Sequence, residues 1–136
     1  LELPHPLEPA LELVSKLVQV KFLPAGEGIG YGETYVTKTG EWIGTLPIGY
    51  ADGWIRKMQG FFVLVAGKRC EIVGRVCMDQ IMIRLPRQFP EGTSATLVGK
   101  NGAAEITLQD VADQQETIHY EVACILSSRI PREYID

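Results

Sequence analysis

The sequence lacks several things, and each absence removes a class of function. No apolar run approaches the ~18 residues that a membrane-spanning helix requires, and no signal peptide is visible. There is no basic excess. Thirteen Lys and Arg against seventeen Asp and Glu give a net charge of -4, the wrong sign for a nucleic-acid footprint. The basic residues gather only at Arg56-Lys57, Lys68-Arg69 and Arg129 to Arg132. Histidine is scarce, with His5 and His119 far apart, and the three cysteines, Cys70, Cys77 and Cys124, form no C-x-x-C pair. No metal site is expected from such spacing. An odd set of unpaired cysteines suits reduced, structural thiols in a reducing cytoplasm. Repeats and low-complexity tracts are also missing.

What is present reads as a globular domain. The 136 residues are 46% hydrophobic and 22% charged, enough for a single domain over 1–136 with one core. The chain begins at Leu1 in a Pro-broken segment, "LELPHPLEP", and ends at "PREYID". It reads as a piece of a longer protein, so missing chemistry is expected outside it.

Strand signals dominate. "ALELVSKLVQVKFL" alternates as one long strand, although a helix also fits its first half. "TYVTKTGEWIGTLPI" predicts a hairpin around Thr39-Gly40. Asp52-Gly53 marks a turn. "FFVLVAGKRCEIVGRVCM" predicts two strands joined at Ala66-Gly67. "DQIMIRL" predicts another, stopped by Pro86, and "SATLVG" a short one ending at Gly99. The pattern changes after Glu105. Thr107 as N-cap with Asp110 three residues on predicts a helix in "ITLQDVADQQET". Ile118, Val122, Ile125 and Leu126 suit a second short helix, and "RIPREYI" a last extended piece. The sum is a mainly β, barrel-like antiparallel domain with one or two short helices.

Four places carry candidate chemistry. In "AGEGIGYGETY", Gly26, Gly28, Gly30 and Gly32 alternate with other residues. In an extended segment they strip one face bare, while Glu27, Ile29, Tyr31 and Glu33 share the other. Bare backbone permits close approach. Three readings of Tyr31 follow from the residues alone: a tyrosine at a kinked edge, a proton carrier at a close-approach surface, or glycines cradling a phosphate. The last lacks both the P-loop ending and the Rossmann spacing. In "PIGYADGWIRKM", Tyr50, Asp52, Trp54 and Arg56 sit beside a tight turn, and a turn with a surface aromatic accounts for them without function. In "GRVCMDQ", Arg75 and Asp79 bracket Val76, Cys77 and Met78, read as a buried triplet flanked by a structural ion pair. In "TIHYEV", Tyr120 reads equally as a core tyrosine with its hydroxyl at the surface.

Taken together, "GIGYGETY", "LPIGYADGW", "GRVCMDQ", "TIHYEV" and "SRIPREY" stand in an order and spacing that resemble the C-terminal β-domain of bacterial PLP-dependent alanine racemases. The resemblance runs from about Ala10 to Tyr134. It implies a larger enzyme in which a TIM-like barrel precedes this domain and carries the PLP lysine in a motif resembling "VKANAYGHG". That motif is absent here. By motif, Tyr31 matches the catalytic tyrosine that moves the α-proton on the L side, the lysine serving the D side. Met78 matches the residue whose backbone N–H holds the substrate carboxylate, and Tyr120 the tyrosine that bonds the PLP phosphate. Tyr50, Arg56, Arg75 and Asp79 match the substrate corridor. Head-to-tail homodimers are implied, with Tyr31 and Met78 acting on the partner's cofactor and Tyr120 on its own. So are alanine as substrate, D-alanine for peptidoglycan as product, and an inactive isolated fragment. Two alternatives stand beside this reading: a serine or broad-specificity racemase domain, and a non-catalytic β-barrel binding module.

Overall fold

In the computed structural model, residues 12–26, 28–29, 35–36 and 40–117 are described. Ten strands and one helix lie among them: β1 Leu13–Lys16, β2 Gln19–Leu23, β3 Gly28–Ile29, β4 Tyr35–Val36, β5 Glu41–Leu46, β6 Phe62–Val65, β7 Lys68–Val73, β8 Ile81–Leu85, β9 Ser94–Asn101, β10 Ala104–Ile106 and α1 Leu108–Gln115. Tyr31, Tyr120, Cys124, the second helix and the last extended piece expected from sequence lie outside the described residues.

The main sheet is antiparallel and runs β1-β9-β6-β7-β8-β5-β2, with β10 paired to β9. Its two edges are consecutive pieces of chain. The long strand expected over "ALELVSKLVQVKFL" is broken at Leu17-Val18, where it changes partners. Leu17 N–H donates to the Thr93 carbonyl at 3.0 Å, and its own carbonyl accepts from Gly92 N–H at 2.7 Å. One residue later, Val18 N–H donates to the Thr45 carbonyl at 2.9 Å. The strand thus leaves the β9 ladder for the β5 ladder, and the sheet curls into a barrel-like form. Gly44 makes the corner possible. A Cβ there would stand 2.6 Å from Leu17 Cδ2 and 3.1 Å from Leu85 Cδ1, so its absence lets Leu17 enter the core. β-Branched and aliphatic residues fill that core: Leu46, Val63, Val65, Ile72, Ile81, Ile83, Leu97 and Ile106 are all buried in one cluster.

The β6–β7 hairpin turns at Ala66-Gly67, as the sequence reading expects. Both residues have positive φ, 51° and 76°, which matches the twist of a two-residue hairpin. Asn101 fixes this turn by accepting from Gly67 N–H at 2.7 Å. The helix also stands where it is expected. Thr107 Oγ1 accepts from Asp110 N–H at 3.0 Å, and Asp110 Oδ2 accepts from Thr107 N–H at 2.9 Å, a reciprocal cap. Two expectations change. There is no hairpin of the arms around Thr39-Gly40: β4 pairs with β3, whereas β5 lies between β2 and β8. "SATLVG" does not end at Gly99 either. β9 continues to Asn101 and turns at Gly102 into β10.

Cys70 and Cys77 are free thiols. Burial raises the pKa of Cys70 from the ordinary 9.0 to about 11, opposed in part by a backbone hydrogen bond from Val65. The folded state therefore holds its proton where the unfolded chain releases it. That contribution is complete below about pH 9 and is lost as pH rises towards 11, by roughly 2–3 kcal/mol. Urea unfolding across this range should show a fall in stability that a Cys70→Ala variant lacks; parallel curves would refute the shift.

Candidate functional site

β5 ends beside the start of β8, with Leu46 opposite Ile81, and β7 ends there too, with Val73 opposite Met82. Two loops therefore leave the sheet at one end. One follows β5 and carries Tyr50 and Arg56. The other joins β7 to β8 and carries Arg75, Met78 and Asp79.

The first loop is built of two short 3-10 turns, Tyr50–Asp52 and Arg56–Met58. Ile48, Trp54 and Met58 anchor it by burial in the core. Trp54 is therefore a buried aromatic and Tyr50, 39% exposed, is the surface one. Among the described residues, the Trp54 indole N–H has no hydrogen-bond partner. Asp52 Oδ2 accepts from Gly49 N–H at 3.0 Å, buried, and Asp52 N–H donates back to the Gly49 carbonyl at 3.0 Å. Gly53 then reverses the chain at φ 102°. Arg56 Cζ lies 5.0 Å from the Tyr50 ring centroid, a cation-π contact that orients both side chains.

The second loop corrects the sequence reading of a buried triplet. Of Val76, Cys77 and Met78, only Val76 is buried; Cys77 is half-buried and Met78 is 48% exposed. The strand alternation stops because β7 ends at Val73 and the chain turns at Gly74, φ 71°. Cys77 N–H donates to the Gln80 carbonyl at 3.0 Å, closing the loop's tip.

Backbone bonds clamp the two loops together. Tyr50 N–H donates to the Cys77 carbonyl at 2.9 Å, and Ala51 N–H to the Met78 carbonyl at 3.0 Å. Among the described residues, Met78 N–H donates to no group. The structure thus brings Tyr50, Arg56 and Met78 together and places Arg75 and Asp79, both exposed, on the Met78 loop. Sequence reasoning missed the clamp. "GYAD" holds its signal, an acidic residue three positions after a glycine that needs a cap, but Cys77 and Met78 stand too far along the chain for the pairing to be read. A separate concavity lies elsewhere. It measures about 440 Å³ and is lined in part by Phe61, Arg69, Glu71 and Arg84, towards the other end of β7 and β8. The clamped loops have the better claim, because they hold an unpartnered donor beside an aromatic ring and a guanidinium.

Fold and site define an antiparallel, barrel-like β-domain that carries such groups on two clamped loops at one end. A family model described as "Alanine racemase, C-terminal domain" matches residues 10–134. The chain belongs to that family. An alanine racemase of Latilactobacillus sakei subsp. sakei (strain 23K) is 63% identical over 133 residues, covering 98% of this chain and 35% of the relative. The crystal structure of alanine racemase from E. faecalis has a TM-score of 0.96 at 68% identity over 99% of this chain and 36% of that one. A histidine racemase from Leuconostoc mesenteroides subsp. sake has a TM-score of 0.92 at 35% identity, over 100% of this chain and 37% of that one. The chain spans about a third of the length of the relatives it matches.

Proposed function

We propose that this chain is the C-terminal part of an alanine racemase and that it supplies the α-proton carrier, the substrate-carboxylate donor and a corridor wall to an active site completed by a lysine-bearing barrel. Support comes from 68% identity to a protein of that name across almost the whole chain and from the unpartnered Met78 N–H held beside Tyr50 and Arg56. The donor set of the two loops, a backbone N–H with guanidinium groups at Arg56 and Arg75, fits anionic groups, as an amino-acid carboxylate or a PLP phosphate would require.

PLP bound to the barrel's lysine would supply an electron sink that acidifies the α-proton. This chain's residues do the rest of their side of the work. Met78 N–H receives the carboxylate and fixes which face of the α-carbon meets Tyr31. The Tyr31 hydroxyl, assigned by its motif, takes or returns the proton on the L face. Tyr120, also by motif, holds the cofactor phosphate, and Tyr50, Arg56, Arg75 and Asp79 line the approach. Head-to-tail pairing of two full-length chains would bring Tyr31 and Met78 to the partner's cofactor, in a cytoplasmic enzyme. The test is α-hydrogen exchange in D₂O with alanine as substrate of the full-length enzyme, scored with alanine optical activity. Exchange with loss of optical activity is expected; the absence of both would refute the reading.

The chain alone, mixed with PLP, is expected to leave the PLP absorbance unchanged, and with L-alanine added to racemise it no faster than PLP alone. Racemisation by the fragment would overturn the placement of the lysine outside it. A second specificity has a definite observation behind it: a histidine racemase shares this fold at a TM-score of 0.92. Side-chain choice is therefore not set by the β-domain fold alone. A panel of alanine, serine and histidine separates the readings, with alanine expected to be turned over best.

A further inference from the structure

The Met78 loop has little of its own to hold it. Met78 is 48% exposed, and the backbone bond from Cys77 N–H to the Gln80 carbonyl closes the loop's tip. Yet a donor that recognises a carboxylate must be aimed. The Met78 N–H shares one planar peptide unit with the Cys77 carbonyl, and the two point in opposite directions in that plane. Tyr50 N–H grips that carbonyl at 2.9 Å. Gripping it fixes the plane and therefore the direction of the N–H, and it polarises the same amide towards stronger donation. Ala51 N–H grips the next carbonyl, Met78 O, at 3.0 Å, so the peptide cannot rotate about its neighbour.

Two consecutive N–H groups aim the same way only in a turn, because an extended strand alternates them. The first N–H groups of a helical turn have no partner inside it. Here they are free to serve the other loop, and Asp52 makes that turn. Only 7% exposed, it accepts from Gly49 N–H at 3.0 Å through Oδ2 and donates its own N–H to the Gly49 carbonyl.

We propose that Asp52 and Ala51 are positioning residues that aim the Met78 N–H at the substrate carboxylate. The proposal rests on the reading of Met78 given above. Neither residue touches the substrate; both act through the Cys77–Met78 backbone. A group that contacts the carboxylate in ground and transition states alike affects KM and leaves kcat largely unchanged. A residue serving only the fold would instead lower stability or cofactor content without that split.

The test uses the full-length enzyme with propionate as competitive inhibitor of alanine racemisation. Propionate has the substrate's carboxylate but no amino group, so it reports the carboxylate donor alone. Asp52→Leu and Ala51→Pro, which remove the Gly49 acceptor and the donor to Met78 respectively, are each expected to raise the alanine KM and the propionate inhibition constant about tenfold, the scale of one hydrogen bond to a charged group. Turnover and bound-PLP absorbance should stay close to wild type. Asp52→Asn keeps an oxygen for Gly49 N–H and is expected to restore both constants to within about threefold of wild type. If Asp52→Leu does not fold, Asp52→Ala, which removes the same acceptor without the added bulk, decides. Wild-type propionate inhibition in the folded variants would overturn the positioning role alone. A wild-type enzyme that propionate does not inhibit would instead overturn Met78 as carboxylate donor, and the proposal with it.

Discussion

Tyr31→Phe in the full-length enzyme is expected to lower turnover by about 10²–10⁴-fold, the range of a lost general acid-base group, with PLP content unchanged. A phenol with a reference pKa near 10 is a poor base at neutral pH. It becomes a useful one only where a cation or a donated hydrogen bond favours its charged form. The glycines at 28, 30 and 32 leave the sequence around Tyr31 short of side chains that would block close approach. The loss should be unequal in the two directions. α-Hydrogen exchange from L-alanine should fall further than exchange from D-alanine, because the opposite face keeps its lysine. Activity near wild type, or equal losses from both enantiomers, would show that Tyr31 is not the L-face carrier.

Gly49→Ala should be the most disruptive single-methyl change among the loop glycines. The added Cβ would collide with the Cys77 carbonyl oxygen and stand 2.6 Å from the Met78 carbonyl oxygen. Both obstacles are backbone and cannot swing aside. Separating the loops breaks the Tyr50 and Ala51 bonds and strands their N–H groups. A loss of about 3 kcal/mol or more in unfolding free energy is expected, together with a weaker grip on alanine. Gly92→Ala provides the contrast. Gly92, unlike the extended Gly49, has positive φ, 91°, and its Cβ would meet nothing within 4 Å, so the cost is conformational, about 1 kcal/mol. Urea midpoints of the two variants check the ranking. Equal midpoints would mean that the loops are not clamped as described.

Local rules carried the sequence reading where the partners are close in the chain. Thr107 and Asp110 cap each other three residues apart, and Ala66-Gly67 joins strands that pair directly, so helix and hairpin were both legible. Non-local pairing defeated it elsewhere. Glu41–Leu46 looks like the second arm of a hairpin, but its β-branched and aromatic residues are satisfied by β2 and β8, from before and far beyond the turn. The break at Leu17 has no turn residue to announce it; it depends on Gly44 opening room in a neighbouring strand. β10 is only three residues long, too short for a period to register. At the site, motif order named Tyr50, Arg56, Arg75, Met78 and Asp79, and the structure places all five on two adjoining loops. Gly49 and Asp52 cap each other locally, but what their turn serves was not legible, because Tyr50 and Ala51 donate from it to a loop some distance along the chain.

The kinked strand that forms both edges of the sheet has a consequence for how the chain is made. Leu13 is synthesised well before its ladder partner Val98, which follows only after β2 to β8. Until then β1 is an unpaired edge, open to pairing with a neighbouring nascent chain. The last closure is also a long-range one, which slows folding. Emergence of β9 from the ribosome is thus the moment at which β1 gains its partner, and a pause in translation before β9 has emerged should lower soluble yield more than the same pause afterwards.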